Sequence, residues 1–143
     1  MLSATERPLL NKFYKSQSSP MRASDNGVAW VARSGEIIAA LNLSPVPGGQ
    51  WLTGLLVDAH RRRQQVARHL VEQASQQVEG CIWLFCHPDL QDFYERLDFA
   101  VSEALPAVLA ERLVRYRRSK PLLAMVRTQS SAAGSRPGNS TSV

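Results

Sequence analysis

The feature that most constrains this chain is a change of hydrophobic period in its middle third. Residues 50–57, Gln-Trp-Leu-Thr-Gly-Leu-Leu-Val, read as one apolar strand. Val66, Leu70, Val71, Ala74 and Val78 then recur at helical spacing, on one face of a helix over about 62–78 that Gly80 ends. The run Cys-Ile-Trp-Leu-Phe at 81–85 is continuously apolar, the mark of a strand covered on both faces. Strand, helix and buried strand in that order predict a β-α-β crossover, which commits the chain to a mixed α/β sheet.

The flanking segments extend this pattern. Leu9, Leu10, Phe13 and Tyr14 have helical spacing within residues 5–16, with Thr5 as cap and Pro8 in the first turn. Residues 28–33 and 36–43 predict two strands joined at Ser34-Gly35, and a turn at 45–49 leads into the third strand, making an antiparallel meander. Beyond the crossover, a short helix is expected over about 88–97 and a strand over 99–101. Pro106 suits a first helical turn, with Leu105, Val108, Leu109, Leu113 and Tyr116 sharing a face, and residues 122–126 close the sheet. Residues 128–143 are almost wholly Ser, Ala, Gly, Pro, Thr and Asn; they are expected to be a disordered tail behind a folded domain of residues 1–127.

No run approaches the roughly 18 apolar residues of a membrane span, and the first residues lack the apolar core of a signal peptide, so a cytoplasmic protein is expected. The Asn-x-Ser/Thr patterns at Asn42 and Asn139 are then chance matches. Cys81 and Cys86, five apart in a strand, point to opposite faces and are poorly placed to pair. Two cysteines and three unclustered histidines predict no metal site. Trp30, Trp51 and Trp83 lie in strands and are expected in the core.

The net charge of +5 concentrates at 60–63 with Arg68, and between Arg112 and Lys120. Such patches suit a nucleic acid, a polyphosphate cofactor or simple solvation. No glycine-rich aromatic strand and no helix–turn–helix pair is present, so no nucleic-acid partner is expected. At Leu52–Val71 the apolar strand enters its helix through a basic turn. A helix start offers unpartnered N–H groups and the positive dipole end, which together bind phosphate.

This turn resembles the phosphate turn of the GNAT superfamily of acyl-CoA N-acyltransferases, Arg/Gln-x-x-Gly-x-Gly/Ala, with Arg62, Gln65 and Ala67 in the defining places. Val57-Asp58-Ala59-His60-Arg61 stands where the family often has Val-x-Pro-x-Tyr. Downstream, Phe93-Tyr94-Glu95-Arg96-Leu97-Asp98-Phe99 is similar to the family's Phe-Tyr-x-x-x-Gly-Phe, and His87 and Leu90 fall where Asn and Ala are common. The resemblance covers about residues 27–101. It departs at Gln65 and Asp98, both in glycine places, and at Arg63, where a further glycine is common. Gln65 can still offer its N–H if its conformation is helical, and Asp98 is expected to tolerate a left-handed one.

The resemblance implies an acetyltransferase with a GNAT-like fold, helices on both sheet faces and acetyl-CoA as cofactor. The main chain of Leu55, Leu56 and Val57 would then hold the pantetheine. The turn Arg62, Arg63, Gln64, Gln65, Val66, Ala67 and Arg68 would hold the pyrophosphate. Tyr94 falls on the family's proton donor to the CoA sulfur, leaving Phe93 to the core. No carboxylate lies on the third strand and Glu36 is expected to be too distant, so His87 is the candidate base, with a water chain as the alternative. Asp58 and His60 read as turn residues. Arg22, in a polar segment where relatives bind their acceptor, is a candidate substrate contact. The partners expected are acetyl-CoA and an amine acceptor, without membrane, in a monomer or homodimer. A non-catalytic acyl-CoA-sensing module that binds a partner protein is the competing reading.

Overall fold

A computed structural model of the chain describes residues 7–17, 27–61 and 65–128. Its elements run α1 (Arg7–Ser16), β1 (Val28–Ser34), β2 (Glu36–Val46), β3 (Gly49–Val57), α2 (Val66–Gln76), β4 (Cys81–Cys86), α3 (Gln91–Glu95), β5 (Ala100–Val101), α4 (Ala107–Arg117) and β6 (Leu123–Arg127), with single 3-10 turns at Ala59–Arg61 and Pro88–Leu90. The strands form a six-stranded sheet in the order β1-β2-β3-β4-β6-β5. The mixed α/β class, the opening meander and the strand–helix–strand passage through α2 follow the sequence reading. Thr5, Arg22, Arg62, Arg63, Gln64 and residues 129–143 lie outside the described residues.

The chain divides into two compact units, Met1–Pro45 with Trp51–Gln76, and Val46–Gln50 with Gln77–Val143. In the first, β1 and β2 pair antiparallel, with Val28 opposite Leu43 and Ser34 opposite Glu36, so the reversal turns on Gly35 alone. Gly35 has φ +78° and open space around it, a conformation that other residues adopt at a cost. Five consecutive residues of β2, Ala39 to Leu43, are fully buried, so both faces of this strand are covered. Leu10, Phe13 and Tyr14 of α1 pack with Ala29 and Ala40 on one face. α2 packs against β1 and buries Leu70, Val71 and Ala74.

The second unit is built on β6, which lies between β4 and β5 and is antiparallel to both, with Leu84 opposite Met125 and Val101 opposite Met125. Leu109 and Leu113 of α4 are buried, whereas Val108 and Tyr116, expected on the same face, are exposed. An 11-residue helix lying on a small sheet buries a narrow stripe, and only the residues at its centre line reach the interior. Arg117 closes the unit's edge: its guanidinium grips both Glu103 oxygens at 3.2 and 3.0 Å, and its Nε donates to the Leu122 carbonyl at 2.9 Å. That grip holds the Glu103 carboxyl below the usual carboxylate range. Cys86 is buried with its thiol 3.6 Å from Met125 Sδ, Cys81 is half-buried, and both are free.

Candidate functional site

α2 begins later than the hydrophobic period suggests, at Val66, downstream of a 3-10 turn at Ala59–Arg61. Asp58 starts that turn: its carboxylate accepts the His60 N–H at 2.8 Å, and its own N–H bonds the Ile38 carbonyl at 2.7 Å. The Gln17 side chain accepts the Ala59 N–H at 3.1 Å, tying the end of α1 to the same turn. Asp58 and His60 are thus turn residues, as their types suggest.

Gln65 is the informative position. Its φ is +57°, so it is left-handed and not helical. It takes the backbone conformation for which glycine is best suited, at about 1–2 kcal/mol for a residue with a Cβ. A helical hydrogen bond at the start of α2 runs from the His69 N–H to the Gln65 carbonyl at 3.2 Å. The amides of Val66 and Ala67 precede it, in the first turn, where a helix provides no internal acceptor. Such amides, with the dipole behind them, suit a phosphate. The Ala67 side chain is buried, so only its backbone can face a ligand. Leu55, Leu56 and Val57 form the end of β3 in the same unit.

β3 is continuous from Gly49 to Val57 but carries a left-handed residue, Gly54, that hydrophobic periodicity does not mark. Gly54 has φ +68° in mid-strand, and its carbonyl accepts the Tyr14 hydroxyl at 2.8 Å. Asn42 Nδ2 in turn donates to Tyr14 Oη at 3.3 Å. Tyr14 and Asn42 are fully buried, and burial pushes the Tyr14 phenol up to about 12, offset in part by the Asn42 donation. A glycine within a strand is the signal that could have found this group, since it marks a bulge or a close approach.

The second unit holds the other two candidates. Phe93, expected in the core, is 39% exposed, whereas Tyr94 is only 9% exposed. α3 has five residues, too few to fix a face from periodicity, and one position along a helix turns the side chain by about 100°. Asp98 is left-handed, φ +70°, as its type permits. It ends α3 in a Schellman pattern: Asp98 N–H bonds the Glu95 carbonyl at 3.1 Å and Phe99 N–H bonds the Tyr94 carbonyl at 3.1 Å. The rings of Tyr94 and Phe99 make the accompanying apolar contact, 5.8 Å apart and edge-on, and Phe93 meets Tyr94 at 5.0 Å. Burial, then the neighbouring Cys86, pushes the Tyr94 phenol up to about 12. His87 caps the turn at Pro88–Leu90, its Nδ1 accepting the Asp89 N–H at 3.1 Å, with its side chain half exposed.

A cavity of about 330 Å³ opens beside α1 in the first unit, with Lys12, Phe13, Arg33, Glu36, Ile37 and Asp58 among its walls. Its cations and carboxylates balance, so it selects no ligand charge. Among the described residues, no group of three or more His, Cys, Asp or Glu could hold a metal ion, and no helix is long and apolar enough to cross a membrane.

Residues 25–101 match the acetyltransferase (GNAT) domain family, and the chain belongs to that family of acyl-CoA-dependent acyltransferases. A search of curated proteins finds no match. Among solved structures, the chain is similar to a GNAT-family acetyltransferase from Staphylococcus aureus Mu50, at TM-score 0.65 and 14% identity over 89% of this chain and 95% of that one. It is also similar to the ribosomal-protein-S18-alanine N-acetyltransferase of Escherichia coli, at TM-score 0.61 and 17% identity over 95% and 96% of the two chains. An aminoglycoside 6'-N-acetyltransferase complexed with coenzyme A gives TM-score 0.61 and 15% identity over 94% of each chain.

Proposed function

We propose that this protein transfers an acetyl group from acetyl-CoA to an amine of a small molecule or protein by direct attack. The observation that carries the reading is the backbone at Gln65 and Asp98. The sequence departs from the family's glycines at both, yet both keep positive φ, at +57° and +70°. Retaining a conformation that costs Gln65 about 1 kcal/mol or more supports a turn kept for a ligand, while that of Asp98 ends α3.

Acetyl-CoA supplies the acyl carbon and a thiol leaving group. The amides of Val66, Ala67 and Arg68 bind the pyrophosphate, with the side chains of Arg62, Arg63 and Arg68 adding charge and Gln64 and Gln65 shaping the turn. The main chain of Leu55, Leu56 and Val57 aligns the pantetheine. The acceptor nitrogen forms its bond to the acyl carbon as the carbon–sulfur bond breaks and its electron pair passes to sulfur. Tyr94 protonates that sulfur, and the proton lost by nitrogen goes to His87 or to water. A phenol pushed up to about 12 stays protonated through neutral pH, and the same shift makes it a weaker acid that gives its proton only to a strongly basic thiolate. Arg22 contacts the acceptor.

Both candidate catalytic side chains also have structural work, His87 as a cap and Tyr94 in the Schellman contact. That favours, as a second reading, a module that senses acyl-CoA without turnover. Titration calorimetry with acetyl-CoA, followed by a thiol-release assay over an amine panel, separates the two. Binding with release supports the transferase, binding without release the sensor, and absence of binding at millimolar ligand sinks both. Ala67 is a poor place for a blocking charge, because its buried side chain would confound binding with packing.

A further inference from the structure

We infer that Tyr14 and Asn42 are positioning residues that aim the Leu55 amide N–H at the thioester oxygen; this rests on the acetyl-CoA reading above. Tyr14 donates to the Gly54 carbonyl at 2.8 Å. The peptide that follows Gly54 is trans, as are all those described. In a planar trans peptide the carbonyl and the next N–H point in opposite directions. Fixing Gly54 O on Tyr14 therefore fixes the Leu55 N–H on the side away from Tyr14.

The donors also line up head to tail. Asn42 Nδ2 donates to Tyr14 Oη, Tyr14 to Gly54 O, and amide resonance passes the polarisation to the Leu55 nitrogen. Each donation makes the next hydrogen a better donor, which suits an oxygen that gains charge as the carbon–sulfur bond breaks. Packing alone does not explain the arrangement. Asn42 is 1% exposed and its Oδ1 has no partner, a cost that an apolar residue in β2 would avoid. The fit at Gly54 is close as well: a Cβ there would lie 2.8 Å from Tyr14 Oη and 2.9 Å from Asn42 Nδ2.

The test is isotope-edited infrared spectroscopy of acetyl-CoA carrying ¹³C at the thioester carbonyl, bound to wild type, Tyr14→Phe and Asn42→Ala, which needs no acceptor. Wild type is expected to lower the carbonyl frequency below that of free acetyl-CoA. Tyr14→Phe should lose most of that shift and Asn42→Ala a smaller part, while CoA without the acyl group binds all three alike. An unshifted wild-type carbonyl, a shift retained in both variants, or a loss of shift matched by an equal loss of CoA affinity overturns the inference. If Tyr14→Phe does not fold, Asn42→Ala decides. No wild-type binding at all sinks the acetyl-CoA reading itself, and this inference with it.

Discussion

Two buried tyrosines, one in each unit, are alike in burial and in pKa and differ in what holds them. Tyr14 and Tyr94 are both pushed up to about 12, chiefly by desolvation. Tyr14 commits its proton to the Gly54 carbonyl, and its oxygen is occupied by Asn42. Tyr94 is held by the ring edges of Phe93 and Phe99 and by its own backbone carbonyl, which accepts from Phe99. One phenol is anchored through its hydroxyl, the other through its ring and backbone. Burial and a raised pKa alone therefore do not identify a catalytic phenol.

The largest effect should come from Gly54→Ala, which meets both polar heads and demands φ +68° of a residue with a Cβ. A loss of about 3 kcal/mol in urea unfolding is expected; a near-neutral outcome would break the link between Gly54 and Tyr14. Tyr94→Phe should slow turnover by about 10²-fold with acetyl-CoA affinity retained, as for loss of a general acid. Unchanged turnover would assign the thiolate proton to another donor or to solvent.

The two phenols also make a joint prediction at high pH. Each has a folded pKa above its unfolded value of 10.0, so the unfolded chain ionises first. Their contribution to stability is full below pH 10 and is lost as pH rises from 10 towards 12, on the order of 2 kcal/mol for each. Urea midpoints measured across that window should fall steeply in wild type and less so in either Phe variant. At neutral pH the variants should separate. Tyr14→Phe leaves the Gly54 carbonyl unpaired and costs about 1–2 kcal/mol, whereas Tyr94→Phe stays within about 0.5 kcal/mol. The smallest effect is a gain: Gln65→Gly should stabilise by about 1 kcal/mol, read from thermal unfolding, by relieving the left-handed residue. A loss instead would mean that the Gln65 side chain has a role of its own.

Much of the fold was legible because its signals are local. The change from a strand period to a helical one marked β3, α2 and β4, and the tight turn at Gly35 marked the first hairpin. Helix ends were less legible. α2 starts at Val66, and residues 58–61 form a turn of their own, with the His60 and Arg61 N–H groups bonded to Asp58. The exposure of Phe93 escaped for a related reason, since a five-residue helix carries too little period to define a face.

For the site, the sequence by itself determined the order of parts: an apolar strand, a basic turn, a helix start and a Phe-Tyr pair, enough to point to the GNAT family. It left open whether Gln65 and Asp98 could do the work of glycine. Only the tertiary structure decided that, because positive φ at a residue with a Cβ is imposed by the surrounding fold and not favoured by the residue alone. It also decided the group beneath β3. Tyr14 reaches Gly54 from 40 residues away and Asn42 from 28 residues beyond Tyr14. Periodicity reads neighbours within a turn or two; a hydrogen bond between distant segments exists only once packing has brought them together and excluded water.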